Sequence, residues 1–313
     1  DVSSAMVHAE RALRLNPRLA WASSAVLQLQ SLRKDWPGAA ATLQQQARSG
    51  LMPAEESNQK QAIMLAAQAL AMEDTNSAEA LTLALKAHKL DPGLVPAALV
   101  AARIYASQNS PRKVSRIIRE TWQHAPHPDL AEVLAHAKPG DGPEPRFERV
   151  RDLVSGSPDT LEGAYALARA AVAAQRWDAA RKTLEPFMAD QPQARFCALV
   201  ADIEEAAGDK GRAREWLARA IRAPRDPMWV SDGVASPRWV PVSPVSGEIV
   251  PCQWKTPFEM LAEPKPDTLS PPAPAATPVV ESTPARTAQP AMAELPRPPD
   301  DPGLDDDIGI RNR

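Results

Sequence analysis

The chain has 313 residues, a formal net charge of −3, and 44% apolar against only 4% aromatic residues. That balance offers no basic field for nucleic acid. Cys197 and Cys252 define no disulfide framework, so a reducing compartment is expected, and no apolar run approaches the roughly 18 residues that a bilayer-spanning helix needs, so the segment is expected to be soluble as it stands.

Alanine dominates the apolar fraction and strand-like alternation is almost absent before residue 225, which predicts helices packed closely on helices. Small or apolar residues recur at fixed steps before a proline. At Pro17 the steps of 5, 8 and 12 residues fall on Ala12, Ala9 and Ala5, so residues 1–17 read as the second helix of a hairpin. Its first helix, with any membrane anchor or targeting segment, is expected upstream. Leu19–Arg33 then carries Trp21, Ala25, Leu29 and Leu32 on one face, and Asp35-Trp36-Pro37-Gly38 turns into a second helix from Ala39 to Ser49.

Residues 58–72 and 77–90 form the next pair, and 94–107 with 111–124 the one after. Pro92 and Pro126 stand 34 residues apart, and steps of 5, 8, 12 and 21 back from them land on Ala87, Ala84, Ala80 and Ala71, then on Thr121, Ile118, Val114 and Tyr105. That period and layout belong to the tetratricopeptide repeat. A short helix over 130–137 precedes a break at 138–146, where Pro139, Gly140, Gly142 and Pro143 deny propagation, and a brief helix over 147–154 follows. Two clearer hairpins close the series, 160–174 with 177–189 and 193–207 with 210–222; Ala213, Leu217 and Ala220 face the packing side of the last helix.

The expected fold class is therefore all-α, a tetratricopeptide-like right-handed α-solenoid of about six hairpins. N-terminal hairpins span 1–137, a Pro/Gly break 138–146, C-terminal hairpins 147–223, an irregular Trp/Pro-rich capping segment 224–260, and a disordered Pro-rich acidic tail 261–313. The expected packing residues are Trp36, Ala80, Ala84, Ala87, Tyr105, Trp177, Ala180, Ala213 and Ala220, with Trp216 as a further wedge between helices.

After residue 224 the sequence reads Asp226-Pro227-x-Trp229-x-x-Asp232-Gly233, then Trp239-Val240-Pro241-Val242-Ser243-Pro244-x-Ser246-Gly247, then Trp254-Lys255-x-Pro257. This run resembles the end of the HemY family of tetratricopeptide proteins associated with heme biosynthesis, and the resemblance extends over the repeats ahead of it. It implies a role in a late step of protoheme synthesis at the cytoplasmic face of the inner membrane of Gram-negative bacteria, anchored by an N-terminal pair of transmembrane helices expected upstream. It brings no catalytic mechanism. A flavin-dependent oxidase of the same name would need a Gly-x-Gly-x-x-Gly turn after a strand, and the chain has no such run.

Trp229, Asp232, Gly233, Trp239, Pro241, Pro244, Gly247 and Trp254 are the candidate binding or capping residues. The favoured expectation is that the three indoles fold back over the apolar end of the last repeat, as solenoid ends require; the alternative is a wall for a porphyrin or a partner peptide. His124-Ala125-Pro126-His127 has metal-like spacing but sits at a repeat end, where histidines are commonly exposed. Cys252 follows Pro251, the reverse of the cysteine-then-proline order of a heme-regulatory motif, and Cys197 reads as a small buried apolar residue. Arg112, Lys113, Arg116 and Arg119 form a basic stripe that suits a solvated face, anionic lipid or an acidic partner. The expected function is a non-enzymatic scaffold that binds proteins, heme-pathway enzymes among them by the resemblance, without metal, cofactor or nucleic acid. A direct heme or porphyrin carrier and an adaptor for envelope or lipopolysaccharide assembly are the alternatives.

Overall fold

The computed structural model describes residues 2–156, 160–189 and 191–257; the expected acidic tail lies outside the described residues. Helix α1 (Val2–Leu15) precedes six antiparallel hairpins. These are α2 (Ala20–Leu32) with α3 (Trp36–Arg48), α4 (Ala54–Met72) with α5 (Ser77–Leu90), and α6 (Val95–Ser107) with α7 (Pro111–His124). They continue as α8 (Pro128–Ala135) with α9 (Pro143–Val154), α10 (Leu161–Ala173) with α11 (Trp177–Leu184), and α12 (Ala194–Ala206) with α13 (Lys210–Arg222). The first helices α4, α6, α8, α10 and α12 stack on one another in turn, so the repeat region is an all-α solenoid of the tetratricopeptide type.

The hairpins form for local reasons. Between first and second helix, Lys34, Asn109, Gln175 and Gly208 take positive φ of 58°, 50°, 56° and 86°, the left-handed turn that ends a helix. The second helix is then capped by Asp35, Asn76 or Asp209, each accepting a backbone N–H of its first turn, as Thr160 does for the first helix α10. Four residues after the second-helix cap stand Ala39, Ala80, Val114, Ala180 and Ala213, none more than 6% exposed. Side chains this small let two helix backbones approach closely, which makes the repeat packable.

Several expectations need correction. Helices α3, α4 and α9 begin three to four residues earlier than the apolar spacing suggests, at Trp36, Ala54 and Pro143. In α3 and α9 a proline lies in the first turn, where its missing N–H costs nothing. The Pro/Gly break is correspondingly shorter, and it does not divide the core: Leu130, Leu134 and Ala137 ahead of it share one cluster with Val150, Leu153 and Ala166 beyond it. Trp21 is 62% and Leu217 50% exposed, so neither packs inward, and Ala220 is only half-buried.

The segment after α13 is not irregular throughout. It contains β1 (Met228–Ser231), β2 (Val234–Ser236) and β3 (Gln253–Lys255) in a small antiparallel sheet of order β2-β1-β3. Asp232 and Gly233, both with positive φ (47° and 79°), make the two-residue turn between β1 and β2.

Candidate functional site

Rather than covering the last hairpin, residues 224–257 run back along the first helices as a strap. At one end the Pro224 carbonyl accepts from the Ala194 N–H and Asp226 accepts from the Arg195 N–H at 2.9 Å, closing the open start of α12. At the other end Gln28 of α2 donates to the Ser246 carbonyl, Gly247 lies against Leu32, and Ile249 is buried among Leu27, Trp36, Leu43 and Ile63. The capping expectation fails because the apolar strap residues find deeper burial against several first helices than one end helix could supply. Leu217 and Ile221 of α13 remain exposed.

The strap is built to hold this path. The Ser243 hydroxyl accepts from the N–H groups of Val245 and Ser246, and the Ser246 hydroxyl donates to Asp232 at 2.8 Å, tying the β1–β2 turn to the far loop. Trp239 is half-buried and packs against Ala66, Ala87 and Ala97 as well as the cluster around Ile249. Pro241 is half-buried and Pro244 exposed.

Trp229 and Trp254, paired across β1 and β3, meet His127 at the start of α8. The imidazole stacks on Trp229 at 5.0 Å and meets Trp254 edge-on at 4.2 Å. His127 is 2% exposed, which corrects the reading of a solvent-facing repeat end: its burial comes from strap residues a hundred positions away. Desolvation, with Arg195 nearby, pushes its pKa down to about 3, so it is neutral near pH 7. Its Nδ1 accepts from the Asp129 N–H at 3.2 Å; the proton therefore sits on Nε2, buried and without a hydrogen-bond partner among the described residues.

Beside this cluster, Arg195 grips Glu162 with two bonds of 2.7 and 2.8 Å, and the Trp254 indole N–H donates to the same carboxylate at 3.0 Å. Sequence reasoning missed this lock. The signal available was periodicity: Glu162 and Arg195 lie 33 residues apart, each the second residue of its helix, as do the hydrogen-bonded His88 and Thr121 at the same separation.

A cavity of about 360 Å³ opens between strap and solenoid, lined by Asp91, His124, His127, Trp229, Cys252 and Trp254 among others. Its lining mixes two indoles, two imidazoles and aliphatic and proline side chains with the polar Gln59, Asp91 and Gln253. Burial pushes the Cys252 thiol pKa up. Among the described residues no group of three His, Cys, Asp or Glu side chains is placed to hold a metal ion. Cys197 is buried. On the outer side Arg112, Lys113, Arg116 and Arg119 are exposed, with Lys113 over the Tyr105 ring and Arg119 donating to the Asp152 carbonyl. Among the described residues no helix is long and apolar enough to cross a membrane.

No family model matches the chain. Among curated proteins it is 26% identical over 247 residues, 78% of its length, to the probable magnetosome protein Mms48 of Magnetospirillum gryphiswaldense. It spans about half of that relative, 54%. Among solved structures, MamA aligns at 15% identity with a TM-score of 0.31 over 48% of this chain and 89% of that one. A tetratricopeptide repeat protein from Parabacteroides merdae gives 16% and 0.36 over 71% and 87%. YrrB, described as a tetratricopeptide protein with an unusual peptide-binding site, gives 16% and 0.27 over 53% and 88%. The hairpins themselves carry the fold assignment.

Proposed function

We propose that the chain is a non-enzymatic scaffold that works by holding other proteins, in a late stage of heme biosynthesis at the inner membrane. The observation that carries the scaffold reading is the series of six hairpins, whose repeated geometry spends its core on packing and leaves long side-chain-covered faces for recognition. The heme assignment is supported by the tryptophan and proline run that resembles the HemY family. Its indoles, Trp229 buried and Trp239 and Trp254 half-buried, form a single fastened unit with the repeats rather than a loose appendage. Crosslinking in cells followed by identification of neighbours tests it: recovery of heme-pathway enzymes is expected, and recovery of none, with porphyrin levels unchanged on deletion, overturns it. Recovery of magnetosome proteins instead would move the assignment toward that of Mms48.

A second reading, direct carriage of heme or porphyrin, is favoured by one feature: two imidazoles and two indoles line the same cavity. Hemin titration with a saturable Soret shift that is lost in His124→Ala, His127→Ala and Trp254→Phe supports it; no saturable shift removes it.

A further inference from the structure

One hairpin departs from the rule that the others obey. Four residues after the second-helix cap, where Ala39, Ala80, Val114, Ala180 and Ala213 are buried, α9 places Arg146. The register is secure, because Val150 and Leu153 follow Arg146 at the same steps at which Ala84 and Ala87 follow Ala80, and all four are buried. A guanidinium cannot fill a methyl-sized site, and here the helices around it leave a cavity of about 270 Å³ between α8, α9 and α10. Its floor is alanine, including Ala131, Ala166 and Ala170, and Arg146 and Arg169 line it with Glu132.

The charges are unbalanced. Glu132 is engaged by Arg169 at 3.3 Å and by His136 at 3.4 Å. Arg146 has no carboxylate within 4.0 Å among the described residues and makes no hydrogen bond there, and its Nε is buried without a partner. The other arginines of α9 and α10 that approach carboxylates are matched: Arg149 meets Asp141, although its Nε too is buried without a partner, Arg151 meets Glu148, and Arg169 meets Glu132. Arg176 meets Glu144. A buried, unmatched N–H of a planar fork asks for a two-oxygen acceptor.

We infer that the cleft between α8, α9 and α10 is a recognition site for an acidic peptide, with Arg146 receiving the carboxylate of a glutamate whose aliphatic stem lies on the alanine floor. The single spare positive charge matches one carboxylate, and the neighbouring Glu132 disfavours a doubly charged phosphate. This deepens the scaffold reading and rests on it, since it states the chemistry of the partner that the solenoid would hold.

The test is fluorescence anisotropy with a fluorescein-labelled octaglutamate peptide and the full chain. Saturable binding that weakens with salt is expected, with at least a tenfold loss in Arg146→Gln, a smaller loss in Arg146→Lys, and no change in Arg176→Gln, whose guanidinium is already matched outside the cleft. Circular dichroism of each variant confirms folding. Absence of saturation, equal binding by Arg146→Gln, or displacement by free glutarate at the same carboxylate concentration overturns the peptide assignment. Crosslinking in cells separates the two claims: neighbours identical for the native chain and Arg146→Gln sink this site and leave the scaffold standing, whereas no neighbours for the native chain, with octaglutamate binding still dependent on Arg146, sinks the scaffold alone.

Discussion

The indole N–H of Trp254 donates to the Glu162 carboxylate at 3.0 Å across 92 residues of sequence, and the same carboxylate holds Arg195 by two bonds. One acid therefore fastens the strap and joins two successive first helices. Its removal and the removal of the indole donor should differ in cost. Trp254→Phe keeps most of the ring and loses one bond to a charged acceptor, about 1.5–3 kcal/mol. Glu162→Ala strands Arg195, whose side chain is only 8% exposed, and should cost about 3–5 kcal/mol. Urea unfolding of both variants checks the order; equal losses would mean that Arg195 finds another partner.

The buried imidazole of His127 predicts a pH dependence. Burial, and after it the nearby Arg195 charge, lowers its pKa from 6.5 to about 3 in the folded chain. Between those values the unfolded chain binds the proton and the folded chain does not. The stability tied to neutral His127 is thus fully present above about pH 6.5 and falls by up to about 1.4 kcal/mol per pH unit as acid is added, levelling near pH 3. His127→Phe keeps a flat ring between the indoles without the titration. Urea midpoints measured from pH 7 to pH 4 should show the native chain losing stability faster than the variant, and parallel curves would refute it.

The repeat was legible because it is local. The turn at Asp35-Trp36-Pro37-Gly38, second-helix starts such as Trp177, and buried alanines such as Ala80, Ala84, Ala87 and Ala180 follow from spacing within one hairpin and its neighbour. The site was legible only in part. Trp229 and Trp254 stood out as candidates in a run without helical period, yet strands of three or four residues carry too little period to reveal a sheet. His127 looked solvent-facing because what buries it comes from strands far along the chain. Arg146 escaped notice because Pro143 and Pro145 disguised the helix start that sets its register.

Packing at the second helices gives a paired test. Ala180 has no exposed surface, and Ala180→Trp should overfill the contact between helices at a cost of about 1–3 kcal/mol or more. Ala213 and Ala220 share a helix and looked equivalent in sequence, but only Ala213 is buried. Ala213→Leu should cost about 1–3 kcal/mol and Ala220→Leu within about 0.5 kcal/mol of nothing. Thermal melts showing similar losses for the latter two would place Ala220 in the core as well.

The far end of the strap can be tested by itself. Ile249 is 2% exposed and fills a site between α2, α3 and α4, touching the cluster that contains Trp36. Truncation to alanine removes methylenes from a site whose walls belong to three helices and cannot collapse easily, so about 2–4 kcal/mol should be lost. Gly247, two residues earlier, has φ of +71°, and a Cβ there would meet Leu32 at 3.2 Å. Gly247→Ala should therefore cost more than the usual helix or loop substitution, about 1–2 kcal/mol, because the backbone and the neighbour both resist it. If the strap is one fastened unit, both variants should raise protection losses by hydrogen exchange not only near residue 249 but also at β1 and β3, whose sheet is tied to that loop by the Ser246–Asp232 bond at the β1–β2 turn. Exchange changes confined to residues 241–250 would show instead that the two ends of the strap open independently.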